Sequence, residues 1–297
     1  MKNFVDLVRR LEGFWKTKGA LIAFPWDQPK GAATFSPYTF FWALDDKPHS
    51  VCYIEPCRRP ADARYGDSPN RLGRYYQYQV FLKPAPERIR AFYEKSLQAI
   101  GVNLKDHELR YVEDDWESPT LGASGVGWEV WLDGLEITQF TYFQSFAGVD
   151  LETIPVEITY GLERIAMYLE GARSVFDITW DHGVRYGDIF HLEAERQFSV
   201  YHFEEFDAAH GFQCFEHAHG EALRLAAKGL VFPAYEEVMR CSELFNELEA
   251  RGAITVDERN RLIGRTRAAA KAVARAHLGK AKDAASAKEA KEDVRPS

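Results

Sequence analysis

The stretch Trp128-Glu-Val-Trp-Leu-Asp-Gly-Leu-Glu-Ile-Thr-Gln-Phe-Thr-Tyr-Phe143 contains two runs rich in aromatic and β-branched residues, separated by a single dipeptide. That dipeptide, Asp133-Gly134, suits a two-residue turn whose central residues adopt positive φ angles. The two runs, Trp128–Leu132 and Leu135–Phe143, are therefore predicted to pair as an antiparallel hairpin. Strands joined this tightly favour a sheet built mainly from antiparallel neighbours.

Further strands and helices are predicted on both sides of this hairpin. Aromatic and polar residues alternate over Arg74–Lys83, which predicts a strand, and apolar residues three to four apart predict a helix at Ile89–Ile100. Two polar segments, Asp27–Pro37 and Arg58–Arg71, are predicted to be loops. The fold class is therefore α+β, an antiparallel sheet flanked by helices. The remaining predicted elements are strands at Ala20–Phe24, Ser50–Cys57, Glu108–Glu113 and Pro155–Tyr160, and helices at residues 3–17 and Leu162–Leu169.

The pattern beyond about residue 195 is helical. An apolar stripe from Val238 to Leu248 predicts one helix, and Thr255 with Glu258 matches the capping box that opens another. Residues 281–297 combine Ala, Lys, Asp and Glu with almost no bulky apolar side chains, which predicts a disordered tail. We therefore predict an α+β domain at residues 1–195, a helical C-terminal domain at 196–280 and a disordered tail at 281–297.

Composition excludes several classes of protein. The chain has 297 residues and a net charge of −8, whereas a protein that coats nucleic acid needs a basic surface. Because 46% of the residues are hydrophobic, the chain can bury a packed core and is not a low-complexity protein. No run reaches the roughly 18 apolar residues that span a bilayer, so no association with a membrane is predicted. The four cysteines show no CxxC spacing and indicate reduced thiols in the cytoplasm.

Basic residues are concentrated between residues 58 and 90. This segment holds eight basic and three acidic side chains within an acidic protein. Arginine suits a phosphate-bearing ligand because its planar guanidinium group donates two hydrogen bonds at once. Arg58 and Arg59 lie between Pro56 and Pro60, which stiffen the segment and favour a functional role. The alternative is a solvated edge of a hairpin.

The segment Glu157-Ile-Thr-Tyr-Gly-Leu-Glu-Arg164 runs from a strand through Gly161 directly into a helix. Its arginine lies in the first helical turn, where the helix dipole disfavours a cation. Arg164 suits this position if an anionic ligand lies over the helix start, because free backbone N–H groups also point there. The tetrapeptide Gly-Leu-Glu-Arg is by itself a weak signal.

Polar side chains recur on one face of three predicted strands. If these groups face inward, they require a polar ligand or water, and if they face outward, they form the solvent side of edge strands. Trp116 is predicted to be a core residue or the wall of a small pocket. The sequence contains no evident metal-ligand cluster, GxSxG elbow or P-loop. The polar pairs that share a face are Gln77 with Gln79, Gln139 with Thr141, and Glu157 with Thr159.

Several ordered segments together resemble the alpha subunits of the bacterial two-subunit glycyl-tRNA synthetases, which are class II aminoacyl-tRNA synthetases. The resemblance implies the class II synthetase-type fold, an antiparallel sheet of six or seven strands that activates an amino acid with ATP. The chain departs from that family at Gln28–Pro37, where relatives tend to carry a Glu-Val-Gly-Ala-Gly-Thr-x-His-Pro run. The resemblance spans residues 3 to 278 or so and rests on Arg58–Arg71, Tyr75–Val80, Trp116–Gly122, Gly127–Trp131, Glu136–Gln144 and Glu157–Arg164.

The resemblance also implies which residues bind the substrates. Arg59 and Arg164 are the expected catalytic residues, at the α-phosphate and the γ-phosphate end of ATP, and Tyr76 is expected to stack on adenine. Glu157 is expected to hold the ammonium group of glycine. The full ATP-binding set is expected to be Arg58, Arg59, Arg71, Tyr76, Glu163 and Arg164. The glycine-binding set is expected to be Gln77, Gln79, Trp116, Gln139, Thr141, Glu157 and Thr159.

The implied function is that of the alpha subunit of a glycine–tRNA ligase. Such a subunit forms glycyl-adenylate from glycine and ATP with Mg²⁺, and transfers the glycyl group to the 3′ end of glycine tRNA. The implied partners are a second alpha subunit and a beta subunit, in an α2β2 assembly whose beta chain carries most of the tRNA recognition.

Two alternatives remain open. One is another class II adenylating enzyme, such as an alanine-type synthetase or a free-standing amino-acid ligase. The other is a non-catalytic class II paralogue, which the joint presence of Arg59, Tyr76, Glu157 and Arg164 argues against.

Overall fold

The computed structural model describes the backbone of residues 3–292 and the side chains of residues 3–279. Its centre is one sheet of spatial order β1-β2-β3-β8-β6-β5-β4, with β7 paired to β6 beside this path. These strands are β1 (Leu21–Ile22), β2 (His49–Arg58), β3 (Arg74–Lys83), β4 (Leu109–Ser118), β5 (Ala123–Leu132), β6 (Leu135–Phe146), β7 (Val149–Asp150) and β8 (Val156–Gly161). Only β1 pairs in parallel, with β2, so the predicted antiparallel sheet is confirmed for the described residues.

The predicted hairpin forms as β5 and β6. Leu132 pairs with Leu135, and the turn residues Asp133 and Gly134 take φ angles of 47° and 84°. At Gly127 the two strands approach so closely that a Cβ atom would lie 2.0 Å from the carbonyl oxygen of Phe140. Only glycine allows that approach, so this position fixes the pairing in the middle of the hairpin.

Helices cover both faces of the sheet. On one face α1, α3 and α4 bury a core that includes Phe4, Trp15, Tyr93 and Ile165, together with Val80 from β3. A two-stranded ribbon, β9 (Thr179–Asp181) and β10 (Val184–Arg185), lies beside α1. The helices are α1 (Phe4–Thr17), α2 (Pro37–Leu44), α3 (Ile89–Ile100), α4 (Leu162–Glu170), α5 (Leu192–Val200), α6 (Ala208–Ala227), α7 (Val231–Ala250) and α8 (Val256–Glu292).

On the opposite face, α2 and the C-terminal helices pack against the sheet. Phe40 of α2 stacks on Tyr235 of α7 with ring centroids 4.0 Å apart, and Val273 of α8 joins the same core. The C-terminal helices also bury a cluster of their own around Phe215 and Leu248. These helices therefore contribute both to a separate core and to the core of the sheet. The proposed boundary between residues 195 and 196 falls inside α5 and stays a prediction.

Two differences from the sequence-based prediction have physical reasons. The helix α2 was not predicted, because Pro37–Leu44 is apolar on almost every side and shows no amphipathic period. The predicted strand Ala20–Phe24 shortens to two residues at the sheet edge. The described backbone continues α8 over residues 281–292, since Ala, Lys and Glu have high helix propensity, and the disordered tail stays a prediction. Residues 293–297 lie outside the described part of the chain.

The predicted capping box and the predicted reduced thiols are confirmed. Thr255 and Glu258 form the capping box, with the Thr255 N–H donating to Oε2 of Glu258 at 2.8 Å and the Glu258 N–H donating to Oγ1 of Thr255 at 3.2 Å. The four cysteines are free thiols. Among the helices that the structure describes, none is both long and apolar enough to cross a bilayer.

Candidate active site

A cavity of about 380 Å³ opens on the sheet face that carries the polar side chains of β3, β6 and β8. The period of two in these strands sends alternate residues into it, as the sequence predicts. Neighbouring strands supply facing pairs, since Gln79 lies opposite Thr159 and Thr141 lies opposite Glu157. The predicted site residues that line the cavity are Arg59, Arg71, Gln77, Trp116, Gln139, Thr141, Glu157, Thr159, Glu163 and Arg164.

Gln79 lies directly behind this lining. It is fully buried, and its Oε1 accepts a hydrogen bond of 2.8 Å from the hydroxyl of Thr159. Its Nε2 has no hydrogen-bond partner within the described residues. Gln79 therefore orients Thr159 in the wall of the cavity and keeps an amide donor available beside Glu157.

The structure does not bring Tyr76 to the cavity. Tyr76 packs against Phe4 and Trp180, with ring centroids 5.9 Å and 6.0 Å away. Because successive side chains of a strand point to opposite faces, Tyr76 could not share a face with Gln77, and its neighbour Tyr75 lines the cavity instead. The expected role of an aromatic ring at the nucleotide therefore moves from Tyr76 to Tyr75.

Arg58 is also directed away from the cavity. Its guanidinium group pairs with Glu243 of α7 at 3.2 Å, in a separate small cleft lined by Arg74 and His202. The alternation that sends Arg59 to the substrate cavity sends Arg58 to this cleft between the sheet and the C-terminal helices. We therefore remove Arg58 from the candidate ATP-binding set.

The two expected catalytic arginines line the same cavity as Glu157, as the proposed function requires. Nε of Arg59 donates to the carbonyl oxygen of Gly31 at 2.8 Å, and its guanidinium carbon lies 5.3 Å from the ring centroid of Tyr75. Nη1 of Arg164 donates to Oε2 of Glu136 at 2.8 Å and to the carbonyl oxygen of the same residue at 3.1 Å. Each guanidinium group therefore uses part of its N–H groups to bond to the protein and keeps further N–H donors for a ligand.

Glu157 is a buried carboxylate with unused hydrogen-bonding capacity. Oε1 accepts hydrogen bonds from the hydroxyls of Thr34 and Thr159, whereas Oε2 has no partner within the described residues. Burial raises the pKa of Glu157 to about 7, although the hydrogen bonds from Thr34 and Thr159 and the nearby amide of Gln79 favour the charged form. A buried acceptor without a partner in a cavity wall indicates a site for a ligand that donates hydrogen bonds.

Glu163 is buried as well, but the protein itself satisfies it. Oε1 accepts from the backbone N–H of Tyr76 at 2.7 Å and from the hydroxyl of Tyr186 at 2.8 Å. Burial raises the pKa of Glu163 to about 7. This carboxyl group joins the start of α4 to β3 and therefore holds Arg164 in position, in addition to lining the cavity.

Other lining residues were not among the predicted site residues. Thr34 lies in a segment that the sequence marks only as a loop, so nothing indicated that its hydroxyl would reach Glu157. Glu129 and Glu136 lie on the two strands of the hairpin and both line the cavity. Glu129 lies directly opposite Gln139 and so shares its face, whereas Glu136 joins that face because the register of the hairpin shifts between Val130 and Trp131.

A second cavity of about 360 Å³ adjoins the first. The two share Ala32, Arg59, Asp62 and Trp116 as lining residues, so Arg59 and Trp116 stand between them. The second cavity lies between the sheet and the helices α7 and α8. Its further lining includes Pro119, Thr120, Phe245, Asn246, Glu249 and Arg259.

Carboxylates in the cavity wall are the candidate metal ligands of the described residues. In the part of the chain that the structure describes, no group of three or more His, Cys, Asp or Glu side chains is arranged to hold a metal ion. Mg²⁺ in phosphoryl-transfer sites is commonly held by one or two carboxylates together with substrate phosphates. Glu129 and Glu136 in the cavity wall fit that donor chemistry.

Comparison with known proteins gives the family of the chain. Two solved structures, both pyrrolysyl-tRNA synthetase chains of Desulfitobacterium hafniense, are similar at TM-scores of 0.44 and 0.45 with 16% and 17% sequence identity. The similarity covers 61% and 62% of this chain, and 73% and 76% of those chains. Residues 4–282 match the family described as "Glycyl-tRNA synthetase alpha subunit". Because this match extends over nearly the whole sequence, the chain belongs to the glycyl-tRNA synthetase alpha subunit family.

Proposed function

We propose that this ligase subunit activates glycine with ATP inside the cavity of about 380 Å³, and that the glycyl-adenylate formed there is transferred to tRNA with the help of a beta subunit. The observation that carries the proposal is the shared lining of one cavity by Arg59, Arg164 and the half-satisfied carboxylate of Glu157. Cations for a triphosphate and an anion for an ammonium group then lie side by side.

The ATP end of the site uses the arginines. Arg59 would donate to the α-phosphate and Arg164 to the γ-phosphate end, while Arg71 would contribute charge from the loop before β3. Tyr75 is the aromatic residue of β3 that faces the nucleotide. If Mg²⁺ binds, Glu129 and Glu136 would hold it with the phosphates, where it neutralises phosphate charge.

The glycine end of the site uses the buried polar groups. Glu157 would accept hydrogen bonds from the ammonium group, and Thr34 and Thr159 fix the orientation of its carboxylate. A carboxylate oxygen of glycine then attacks the α-phosphorus, and the bond from that phosphorus to the bridging oxygen of pyrophosphate breaks. The proposed pocket selects glycine by exclusion, since a larger side chain would meet the walls. The other proposed wall residues are Gln77, Gln79, Trp116, Gln139 and Thr141.

The partners belong to the same proposal. We propose an α2β2 assembly in the cytoplasm, in which the beta subunit carries most of the tRNA recognition. The acidic balance of this chain supports that division, because a net charge of −8 gives little attraction for the tRNA backbone. The alpha–alpha homodimer is part of this proposal.

Glycine-dependent ATP–pyrophosphate exchange tests the proposed activity. We expect exchange by the chain, alone or with its beta partner, to respond to glycine and not to alanine, serine or asparagine. With saturating alanine in place of glycine, the exchange rate should be less than about 1% of the glycine rate. The reason is that steric exclusion of a larger side chain by the pocket wall discriminates more strongly than the loss of contacts with a smaller side chain. A response to alanine or asparagine would favour another class II adenylating enzyme. Absence of exchange with every amino acid would favour a non-catalytic paralogue.

The second cavity is the proposed route of the tRNA 3′ end. The attacking ribose hydroxyl must reach the carbonyl carbon beside the α-phosphate, and Arg59 lines both cavities. We expect Glu249→Trp, at the half-buried rim of the second cavity, to slow glycyl transfer to tRNA at least about tenfold with exchange within about twofold of wild type, because the ring fills the route. Single-turnover transfer from preformed glycyl-adenylate measures this.

Arg240→Trp is the matched control for this variant. Arg240 is exposed on the same helix and lines neither cavity, so both transfer and exchange should stay at wild-type rates. Equal transfer rates for the two tryptophan variants would place the tRNA 3′ end elsewhere.

A further inference from the structure

The segment of residues 26–36, which we call the active-site loop, crosses the edge of the substrate cavity beside β2 and β3. We propose that the buried ion pair between Lys30 and Glu55 holds this loop in place and so positions Arg59, Gln77 and Glu157. Lys30 and Glu55 are then positioning residues that contact no substrate. The inference rests on the proposed function for its kinetic consequences, but the order of the loop can be measured without any activity.

The ion pair lies entirely in the interior. Nζ of Lys30 is 2.9 Å from Oε1 of Glu55, and both side chains are fully buried. Nζ also donates to the carbonyl oxygen of Trp26 at 2.7 Å, which closes the start of the loop on itself. Burial raises the pKa of Glu55, and the nearby charge of Lys30 counteracts that shift. Burying two charges is unfavourable unless they pair, so each group depends on the other.

The loop residues that follow Lys30 contact the candidate catalytic groups one after another. The Gly31 carbonyl oxygen accepts from Nε of Arg59 at 2.8 Å and from the hydroxyl of Tyr75 at 3.2 Å. The backbone N–H of Ala33 donates to Oε1 of Gln77 at 2.9 Å. Thr34 donates from its hydroxyl to Oε1 of Glu157. One backbone segment therefore orients groups at both the ATP end and the glycine end of the site.

The two halves of the loop are held by different groups. The hydroxyl of Tyr235 donates to the carbonyl oxygen of Phe35 at 2.8 Å, and that of Tyr53 donates to the carbonyl oxygen of Ala33 at 3.3 Å, so tyrosines hold the second half. The ion pair holds the first half, directly before Gly31. A backbone hydrogen bond of 2.8 Å from the N–H of Arg58 to the carbonyl oxygen of Lys30 also fixes Lys30 against the end of β2. Loss of the ion pair should therefore release the Gly31 carbonyl before the rest of the loop.

The experiment compares Lys30→Met with the double variant Lys30→Met/Glu55→Met. The single variant leaves a buried carboxylate without its cation, whereas the double variant replaces the pair by apolar groups of similar volume, which proteins often tolerate well. Hydrogen exchange of a peptide covering residues 26–36 reports the order of the loop. Glycine-dependent pyrophosphate exchange reports its effect on kcat/KM. Lys47→Met, at an exposed lysine, is the matched control.

In Lys30→Met we expect the amide hydrogens of the loop to exchange at least about tenfold faster than in wild type. We also expect kcat/KM of the pyrophosphate exchange to fall about 100-fold, since misplacing a catalytic group by about 1 Å has effects of that size. The double variant should recover both properties to within about threefold of wild type. Thermal unfolding and circular dichroism establish that each variant is folded. Lys47→Met should match wild type in both measurements.

Several results would overturn the inference. A folded Lys30→Met with wild-type loop exchange and wild-type kinetics would show that the ion pair does not hold the loop. If Lys30→Met fails to fold, Glu55→Gln takes its place, because it removes the charge of the partner and keeps the shape of the side chain: faster loop exchange with lower kcat/KM supports the inference, and wild-type values for both contradict it. If wild type shows no glycine-dependent exchange, the proposed function fails, whereas unchanged loop protection in Lys30→Met removes only this inference.

Discussion

Arg59→Ala is expected to abolish glycine-dependent ATP–pyrophosphate exchange, with a fall in kcat/KM of at least about 1,000-fold. The guanidinium group is held by the Gly31 carbonyl oxygen through Nε, so its terminal N–H groups can donate to a ligand in the cavity. Charge that develops on the α-phosphate during glycine attack then loses the arginine proposed to bind it, since Arg164 is held at Glu136 and Arg71 pairs with Asp62. Steady-state exchange with purified protein measures the effect.

The neighbouring Arg58→Ala is the matched control for this prediction. Arg58 pairs with Glu243 in the other cleft and does not line the substrate cavity. Its removal should leave exchange within about threefold of wild type and lower the unfolding temperature slightly, because a half-exposed ion pair adds about 1 kcal/mol or less. Similar losses for both variants, or near-normal exchange in Arg59→Ala, would remove Arg59 from the proposed catalytic machinery.

The local order of the sheet could be predicted from sequence alone. Period-two patterns and the Asp133-Gly134 turn depend on neighbouring residues only, so β3 and the hairpin of β5 and β6 formed as expected. The same period should have excluded Tyr76, since it cannot face the same way as Gln77. The family resemblance implies that Tyr76 lies at the nucleotide, whereas the alternation of side chains along β3 indicates Tyr75.

The rest of the site depends on contacts between distant segments, which a single sequence does not encode in any local pattern. Thr34 donates a hydrogen bond to Glu157, which lies 123 positions later in the chain, and Lys30 of the active-site loop pairs with Glu55 of β2. The alternation of β2 sets the face on which Arg58 lies, but its partner Glu243 is 185 positions away on a helix that packs over the sheet. The composition of residues 27–37 indicates a loop, and the structure has one up to the 3-10 turn Ala33–Phe35 before α2 begins at Pro37, but only the folded chain shows what that loop contacts.

The raised pKa of Glu157 predicts a pH dependence of glycine use. A carboxyl group with a pKa of about 7 is mostly protonated at pH 6 and mostly ionised at pH 8, and only the ionised form pairs with the ammonium group of glycine. We therefore expect kcat/KM for glycine to rise about tenfold from pH 6 to pH 8, since kcat/KM reports the free enzyme. For the same reason the contribution of Glu157 to folding stability falls as pH rises from about 4.5 to 7, because the unfolded chain releases this proton first.

Glu157→Gln separates this group from other carboxyls that titrate in the same range. The amide keeps the shape of the side chain but removes its charge, so kcat/KM for glycine should fall about 100-fold or more and lose its rise between pH 6 and pH 8. Burial also raises the pKa of Glu247 to about 7, but Glu247 lies in the cleft of Arg58 and not in the substrate cavity. Glu247→Gln should therefore keep the pH profile of wild type. A profile that survives in Glu157→Gln, or disappears in Glu247→Gln, would show that Glu157 is not the group that binds the ammonium of glycine.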